Sequence, residues 1–192
     1  MLSLIVLAAG KSSRMRGRNK LLVKVDGKPM IRRVVEAALS SKADEVIVVI
    51  GYQARKIRGV LADLPCQLVV NKGYEKGQSS SVKVGLAEVG EVTRAILVLP
   101  GDIAKIDPRS INLVVEEYNR HEASIIIAAH KGRLGHPILL SKKLFKEIER
   151  IDEETLGLKA VIKKHEGEIR LVEAGSENVL RDVDTPGDLK QL

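Results

Sequence analysis

Hydrophobic residues in this chain fall into short continuous runs, and the stretches between the runs carry apolar residues at helical spacing. The runs are rich in valine, isoleucine and leucine and stop at small or turn-forming residues, as expected of strands covered on both faces. They span residues 4–8, 46–50, 68–70 and 95–99. The intervening spacing predicts helices over residues 29–41, 52–61 and 77–89.

The second half of the chain continues this alternation. Pro108 predicts the start of a helix that ends near residue 120. Further strands are predicted over residues 124–129, 137–140, 169–172 and 179–183, helices over residues 142–151 and 155–164, and a last short helix from Pro186. Because strands and helices alternate, we predict an α/β fold: a three-layer, Rossmann-like, mostly parallel sheet with helices on both faces. No linker interrupts the pattern, so residues 1–192 are predicted to form a single domain.

Composition narrows the possible functions. With 44% hydrophobic and 30% charged residues, the chain has the composition of a globular protein. Its formal net charge of +7 suits anionic ligands. Aromatic residues make up only 2% of the chain, tryptophan is absent, and no dense block of lysine and arginine occurs. We therefore expect no nucleic-acid partner.

The sequence also predicts a cellular location. It contains neither an apolar run of the roughly twenty residues that a membrane span needs nor a signal peptide before the first predicted strand. Its single cysteine, Cys66, cannot form an internal disulfide bond, and we predict that it is a small core residue. These features predict a cytoplasmic protein without membrane association.

The loop after the first predicted strand carries the clearest candidate chemistry. Small residues around Gly10 let backbone N–H groups approach an anion closely. Lys11, Arg14 and Lys20 add positive charge around the same loop, which favours a triphosphate-binding site. The loop is not a Walker A motif, because Ile5 stands where the first glycine of that motif belongs, and no G-x-G-x-x-G dinucleotide motif occurs.

Acidic residues follow two other predicted strands. Asp102 comes shortly after a buried strand, a position in which one carboxylate together with phosphate oxygens suits Mg²⁺. Asp107 is the better candidate for capping the helix that starts at Pro108, so we predict a metal ligand at Asp102. Asp182 and Asp184 share one face of an extended segment, yet the Asp-Thr-Pro sequence there is equally typical of a helix start.

Polar residues in two further loops are weaker candidates. Asn71 ends a strand at the same predicted sheet edge, and residues 77–81 open a helix whose N–H groups attract anions, although its serines could serve only as a helix cap. His136 precedes a proline, and a histidine in such a loop is more often structural than functional. The other histidines lack zinc-ligand spacing, and no Ser-His-Asp or Cys-His arrangement is legible.

The first loop also carries a family resemblance. Leu-Ala-Ala-Gly-x-Ser-x-Arg-Met over residues 7–15, followed by Asn-Lys-Leu-Leu over residues 19–22, resembles the opening signature of the MobA-like nucleotidyltransferases. Within that group it is most similar to the molybdenum cofactor cytidylyltransferases. The resemblance implies the nucleotide-diphospho-sugar transferase type of this fold. It also implies a Mg²⁺-dependent enzyme that moves CMP from CTP onto the terminal phosphate of molybdopterin and releases pyrophosphate.

The same resemblance implies roles for residues at matching positions. The implied nucleotide contacts are Leu7, Ala8, Ala9, Gly10, Lys11, Ser12 and Ser13 in the loop, with Asn71, Gln78 and Ser80 at the base or sugar. The implied catalytic and substrate residues are Lys20 and Arg14 on the phosphates, Asp102 and Asp184 on the metal, Asp182 on metal or substrate, and His136 on the phosphate of the pterin substrate. Ile103-Ala104 departs from the residues usual after the metal aspartate, which leaves the path of that loop open.

Two alternatives stay open from the sequence alone. A sugar 1-phosphate or another phosphorylated metabolite could be the acceptor on the same fold. The chain could instead be a non-catalytic nucleotide or cofactor carrier, against which Lys20 and the two acidic sites argue. Under the transferase interpretation the partners are CTP or another NTP, a molybdopterin-type acceptor, and a molybdoenzyme or its chaperone.

Overall fold

The computed structural model describes residues 1–15, 18–185 and 187–191. Within these ranges the chain forms a seven-stranded sheet and a small two-stranded hairpin. In chain order the strands are β1 Leu2–Ala8, β2 Lys24–Val25, β3 Lys28–Pro29, β4 Glu45–Ile50, β5 Gln67–Val70, β6 Ala95–Pro100, β7 Ile125–His130, β8 Arg133–Ser141 and β9 Ile169–Glu173. The α-helices are α1 Met30–Leu39, α2 Ala54–Leu61, α3 Gln78–Leu86, α4 Pro108–His121, α5 Phe145–Ile148 and α6 Leu158–Lys164.

The large sheet is mostly parallel. Its strand order is β5-β4-β1-β6-β8-β7-β9, and among these described strands only β8 runs antiparallel to its neighbours. β1 pairs in parallel with β4 on one side and with β6 on the other, and β4 pairs in parallel with β5. The C-terminal ends of these strands therefore meet at one edge of the sheet. This arrangement confirms the predicted fold class.

Helices cover both faces of the sheet because alternate residues of the central strand point to opposite sides. Leu4 and Val6 of β1 lie in a buried cluster with residues of α1, α2 and α4. Ile5 and Leu7 lie in a second buried cluster with residues of α3, α5 and α6. β1 is buried along its whole length. This double burial explains why its sequence is a continuous apolar run rather than an alternation of apolar and polar residues.

Helix starts follow the local sequence signals most closely at α4. The helix begins at Pro108, as predicted, and Asp107 caps it by accepting a hydrogen bond from the Ser110 backbone N at 2.9 Å. The predicted role of Asp107 as the cap is therefore confirmed. Asp102 is thus not required for capping the start of this helix.

The helices predicted over residues 142–151 and 155–164 are shorter than expected. α5 has four residues and follows a 3-10 turn over Lys142–Leu144. α6 begins at Leu158, because Gly157 before it has a φ of +55°, in the left-handed region that a regular right-handed helix excludes. Helical spacing of apolar residues does not reveal such local backbone reversals.

The predicted strand over residues 179–183 is wrong. Glu177–Leu180 form a one-turn 3-10 helix that is capped by the Ser176 hydroxyl. Val179 and Val183 are both buried against the main core cluster. Their apolar character therefore reflects packing of a crossing segment onto the core rather than pairing within the sheet.

Other expectations concern single residues or the whole chain. Pro186, the predicted start of the last helix, lies outside the described residues, and Asp188–Gln191 beyond it form a 3-10 turn. Cys66 is half-buried at the edge of the main core. In the part of the chain that the structure describes, every helix is too short or too polar to cross a membrane.

Gly85 of α3 and Gly59 of α2 provide a matched test of how closely the helices pack on the sheet. A Cβ atom at Gly85 would lie 2.5 Å from Cγ2 of Ile5, whereas one at Gly59 meets no described atom within 4 Å. We expect Gly85→Ala to lower the free energy of unfolding by about 1–3 kcal/mol through overpacking. Gly59→Ala should raise it by about 0.5–1 kcal/mol, because alanine favours the helix. Urea denaturation measures both values, and changes of the same sign would contradict this packing.

Candidate active site

A cleft of about 400 Å³ opens at the sheet edge where β1 and β6 end. Most of the predicted site residues line it. They are Leu7, Ala9, Gly10, Lys11, Ser12, Ser13, Arg14, Lys20, Gln78, Asp102 and Asp184. Loops from distant parts of the chain thus bring the predicted cations and carboxylates to one place.

Short-range hydrogen bonds shape the first loop and position Lys20. Ser12 has a φ of +54°, and its hydroxyl accepts a hydrogen bond from the Lys20 backbone N at 3.2 Å. Buried Asn19 caps the following 3-10 turn, because its Oδ1 atom accepts a hydrogen bond from Leu21 N at 3.1 Å. Met15 and Leu21 are buried and anchor the loop to the core. The positioning role of Asn19 was missed from the sequence, although its place directly before Lys20 was visible.

Lys20 lies at the centre of a cluster of opposite charges. Its Nζ atom is 2.5 Å from Oδ2 of Asp102 and 3.0 Å from Oδ1 of Asp184. Nη1 of Arg14 is 2.5 Å from Oδ2 of Asp184. The Lys20 and Asp102 side chains are only 14% and 17% exposed, so water screens their attraction less than it would at an open surface.

The pKa values of this cluster follow from burial and neighbouring charges. Burial by itself lowers the pKa of Lys20, but the Asp102 and Asp184 carboxylates outweigh burial and raise it above its ordinary value. Burial raises the pKa of Asp184, but Lys20 and Arg14 outweigh it and lower that pKa. Burial, with the nearby charges of Asp184 and Asp102, raises the pKa of Asp182. Lys20 and Asp184 are therefore charged at neutral pH.

The C-terminal segment brings Asp184 to Asp102. Val183 is buried, and its backbone N donates a hydrogen bond to the Asp102 carbonyl oxygen at 3.2 Å. Asp188 accepts a hydrogen bond from Asp184 N at 2.9 Å, which holds the backbone at the second carboxylate. The backbone contact of Val183 with Asp102 therefore brings the neighbouring Asp184 to the same place as Asp102, where Lys20 joins the two carboxylates.

The donor set of the cluster suits a divalent cation of the Mg²⁺ type. Oδ1 of Asp102 is buried and has no hydrogen-bond partner among the described residues, so it is available as a ligand. The described residues contain no group of three or more histidine, cysteine, aspartate or glutamate side chains arranged for a metal. Two carboxylates with phosphate oxygens and water are the ligand set that Mg²⁺ prefers. Asp102 and Asp184 fit that role.

Two predicted nucleotide contacts have structural partners instead of facing the cleft. Asn71 is buried, and its amide nitrogen donates to the hydroxyls of Ser80 and Ser81 at 2.8 and 3.0 Å. Its oxygen accepts from Gly73 N at 2.9 Å. The Ser80 hydroxyl donates to the carbonyl oxygens of Gly73 and Gly77. Asn71 and Ser80 hold the loop over residues 71–77 in shape.

Tyr74 and Glu75 line the cleft and were missed from the sequence. Nζ of Lys11 is 2.5 Å from Oε1 of Glu75 and lies 5.9 Å from the centre of the Tyr74 ring. A Cβ atom on Gly51 would come within 2.9 Å of both Tyr74 and Ala9, so the two loops can meet only across a glycine. In the sequence, Gly51 directly follows the apolar run over residues 46–50, and this was the one local sign that another loop approaches there.

A second cavity of about 770 Å³ adjoins the cleft at Gln78, which lines both. Aliphatic side chains supply much of its wall. They are Val82, Val98, Ile127, Leu134, Ile138, Leu156, Leu158, Ile162 and Ile169. Charged groups of both signs complete it, with Lys159 and Lys163 opposite in sign to Glu153 and Glu166. Glu153 also accepts a hydrogen bond from Ser79 N at 2.5 Å and so caps α3.

His136 lines the second cavity rather than the cleft. Burial lowers the pKa of its imidazole to about 4, although the Asp102 charge and a hydrogen bond to the Val98 backbone act in the opposite direction. Its Nδ1 atom is buried and has no hydrogen-bond partner among the described residues. At neutral pH the ring is therefore uncharged and carries an acceptor atom. A neutral ring is a poor phosphate ligand, which argues against the predicted contact.

Some predicted site residues stay outside both cavities. Four of them line neither the cleft nor the second cavity: Ala8, Asn71, Ser80 and Asp182. Ala8 is buried at the end of β1, where it contributes to the core. Asp182 is close enough to Asp184 and Asp102 for their charges to raise its pKa, which places it beside the cluster.

Known proteins resemble this chain in sequence and in fold. The bifunctional protein GlmU of Desulfotalea psychrophila is 31% identical over 138 residues, which are 71% of this chain and 40% of that protein. The chain therefore spans less than half the length of that relative. A nucleotidyl transferase from Methanothermobacter thermautotrophicus superimposes with a TM-score of 0.86 at 25% identity, covering 100% of this chain and 95% of the other.

A manganese complex of the Mycobacterium tuberculosis Rv0371C protein shares the fold, with a TM-score of 0.79 and 24% identity over 100% of this chain and 97% of that one. At the level of sequence families, residues 4–169 match the MobA-like NTP transferase domain. The match includes most of β1, the first loop, Lys20 and Asp102, and it ends before Asp184 of the cleft. The chain belongs to the family of MobA-like NTP transferase domains.

Proposed function

We propose that this protein is a Mg²⁺-dependent cytidylyltransferase that moves CMP from CTP onto the terminal phosphate of molybdopterin and releases pyrophosphate. The observation that carries the proposal is the cluster of Lys20, Arg14, Asp102 and Asp184 in a cleft bordered by a small-residue loop. Cations suit a triphosphate, and paired carboxylates suit its metal ion.

Each charged group has a separate task in this reaction. Lys20 and Arg14 bind phosphate oxygens and balance the negative charge that develops on pyrophosphate as it leaves. Asp102 and Asp184 would hold the Mg²⁺ ion, which supplies further charge neutralisation on the triphosphate. Backbone N–H groups around Gly10 approach the phosphates closely, because a glycine there adds no side chain.

The chemical step needs no general base in the protein. The attacking oxygen belongs to the phosphate monoester of the acceptor, which is already an anion near neutral pH. A bond forms between this oxygen and the α-phosphorus of CTP, and the bond between the α-phosphorus and the bridging oxygen to the β-phosphorus breaks. The electron pair leaves with pyrophosphate. Catalysis then depends on positioning and charge neutralisation.

The second cavity supports molybdopterin over a sugar 1-phosphate as the acceptor. A sugar presents many hydroxyl groups, and an aliphatic wall would leave several of them without hydrogen bonds. A flat heterocycle buries its faces against such a wall and has N–H groups at its edge. Neutral His136 offers an acceptor atom for one of those N–H groups, and Lys159 and Lys163 attract the phosphate. We infer that His136 binds the heterocycle rather than the phosphate.

The proposal also covers which nucleotide base the enzyme prefers and where its product goes. The preference for cytosine rests on the Ala8-Ala9-Gly10 sequence, which resembles that of the CTP-using members of the family. The product would pass in the cytoplasm to a molybdoenzyme or to its chaperone.

Pyrophosphate release tests the reaction directly. We expect release only when CTP, Mg²⁺ and molybdopterin are all present, with ATP, GTP and UTP each giving less than about a tenth of the rate. That margin corresponds to roughly 1.4 kcal/mol of discrimination. Release with a sugar 1-phosphate but not with molybdopterin would overturn the acceptor assignment. Nucleotide binding without release, whatever the acceptor, would favour a carrier.

Lys20→Ala and Asp102→Asn test the charged cluster. Each should lower kcat by about 10²–10³-fold, as loss of one preorganised charged or hydrogen-bonding group does. Lys28→Ala is the matched control, because Lys28 pairs with Glu36 outside the cleft. Circular dichroism checks that the variants are folded. Full activity in either cleft variant would contradict the assignment.

The protonation state of His136 is testable through stability. Because its pKa is about 4 in the folded chain and about 6.5 when unfolded, the unfolded state gains the proton first as pH falls. Its contribution to stability is complete above pH ~6.5 and is lost progressively towards pH ~4. We expect His136→Asn to remove about 3 kcal/mol of this decline. Urea denaturation across that range measures it.

His121→Asn provides the control for that experiment, since the His121 side chain is 44% exposed and lines neither cavity. It should leave the acid decline in stability unchanged. An equal effect of both substitutions would mean that His136 is not the buried neutral group described above.

A further inference from the structure

The cations and carboxylates of the cleft satisfy one another. Lys20 bridges Asp102 and Asp184, and Arg14 contacts the second oxygen of Asp184. Three of the four carboxylate oxygens therefore contact a cation, and Asp102 Oδ1 is the fourth. Two positive and two negative side chains make a cluster with no formal net charge.

A divalent cation would meet two obstacles in this arrangement. Three of the four carboxylate oxygens already share their negative charge with a cation, and the ammonium group 2.5 Å from Oδ2 of Asp102 occupies space beside that carboxylate. In addition, the Lys20 charge would lie close to the metal charge in a site that is less screened than bulk water. Both effects disfavour metal binding while Lys20 keeps its position.

A triphosphate would meet the reverse situation. Its oxygens compete with the carboxylates for Lys20 and Arg14, and it carries enough negative charge to hold both. Arg14 is 68% exposed, so its side chain can turn towards a phosphate without repacking the core. Once the two cations move to the phosphates, the negative charges of Asp102 and Asp184 are no longer compensated. All four carboxylate oxygens are then open to a metal, since Oδ1 of Asp102 already lacks a hydrogen-bond partner within the described chain.

We propose that Lys20 acts as a switch between the two ligands: it blocks the metal carboxylates until a triphosphate withdraws it. This inference rests on the proposed function, because it takes Asp102 and Asp184 as the metal ligands and Lys20 as a phosphate ligand. Metal and nucleotide then bind with positive coupling, and by linkage each raises the affinity of the other by the same factor. The free chain binds a divalent cation weakly, and the site forms fully only with both ligands.

Mn²⁺ alone is the probe that tests this switch. Free Mn²⁺ gives an electron paramagnetic resonance signal that decreases on binding, so its Kd can be measured without nucleotide and without activity. Lys20→Met should tighten Mn²⁺ binding by at least about 5-fold, the lower end of typical couplings between sites. Lys20→Arg keeps the charge and should stay within about 2-fold of the wild type. Lys28→Met removes a lysine paired with Glu36 outside the cleft and should change nothing.

CTP binding in the presence of EDTA gives the second measurement. Lys20→Met should weaken it by at least about 5-fold, opposite in sign to its effect on Mn²⁺. Arg14→Met, at a more exposed position, should show the same two signs with smaller size, and it replaces Lys20→Met if that variant does not fold. Unchanged or weaker Mn²⁺ binding in folded Lys20→Met, or in Arg14→Met where that variant replaces it, would overturn the switch.

Asp102→Asn separates failure of the switch from failure of the proposed function. If Asp102→Asn abolishes Mn²⁺ binding while Lys20→Met leaves it unchanged, the metal site stands and the switch is wrong. If Asp102→Asn leaves Mn²⁺ binding intact, Asp102 is not a metal ligand, and both the switch and the assigned metal site are wrong.

Discussion

The structure depends on one constraint, the burial of β1 on both faces and its pairing on both edges. With β4 and β6 alongside and helices over each face, this strand leaves no surface for a ligand along its length. Chemistry is confined to the point where the strand ends and the backbone leaves the sheet. Parallel pairing brings the ends of its neighbours to the same edge. The position of the cleft is therefore set by the order and direction of the strands, and the side chains determine only its chemistry.

The charged side chains at that edge of the sheet affect both the stability of the fold and the chemistry of the cleft. Lys20 and Asp102 are largely buried, so their charges carry a desolvation cost that mutual contact offsets. Exposed pairs such as Lys11 with Glu75 carry little of that cost and contribute little stability. A site whose charges balance internally keeps the fold intact while it holds the groups that a polyanion and its counter-ion need. The same balance makes each group dependent on its neighbours.

Local sequence patterns predict the strands and helix starts of this fold far better than its loops. β4 and β6 were predicted to within about one residue, because a strand buried on both faces must be continuously apolar. The segment over residues 179–183 has apolar residues at its ends but Arg181 and Asp182 inside it, and Glu177–Leu180 form a 3-10 turn there instead of a strand. Val179 and Val183 pack onto the core without pairing in the sheet.

Within the candidate site, the charged residues could be predicted and the polar contacts could not. Lys20 stands out as one of three cations around a loop of small residues, and Asp102 stands out because it comes shortly after a buried strand. The roles of Asn71 and Asn19 depend on which backbone groups lie within reach, and those are set by the folded loops. Tyr74 reaches the cleft because Gly51, twenty-three residues earlier, lets two loops approach. Contacts of this kind belong to the tertiary structure.

The hydrogen bond from Val183 to the Asp102 carbonyl connects the cleft to a segment of the chain that lies after the last strand of the described sheet. The last strand of the described sheet, β9, ends at Glu173, and the second carboxylate of the cleft, Asp184, follows eleven residues later. Residues 174–184 lie outside the strands of the described sheet, so this segment can open locally while the strands stay paired. A chain in that open state would hold Lys20 on one carboxylate alone. The charge balance of the cleft therefore depends on the local stability of a segment that the sheet itself does not contain.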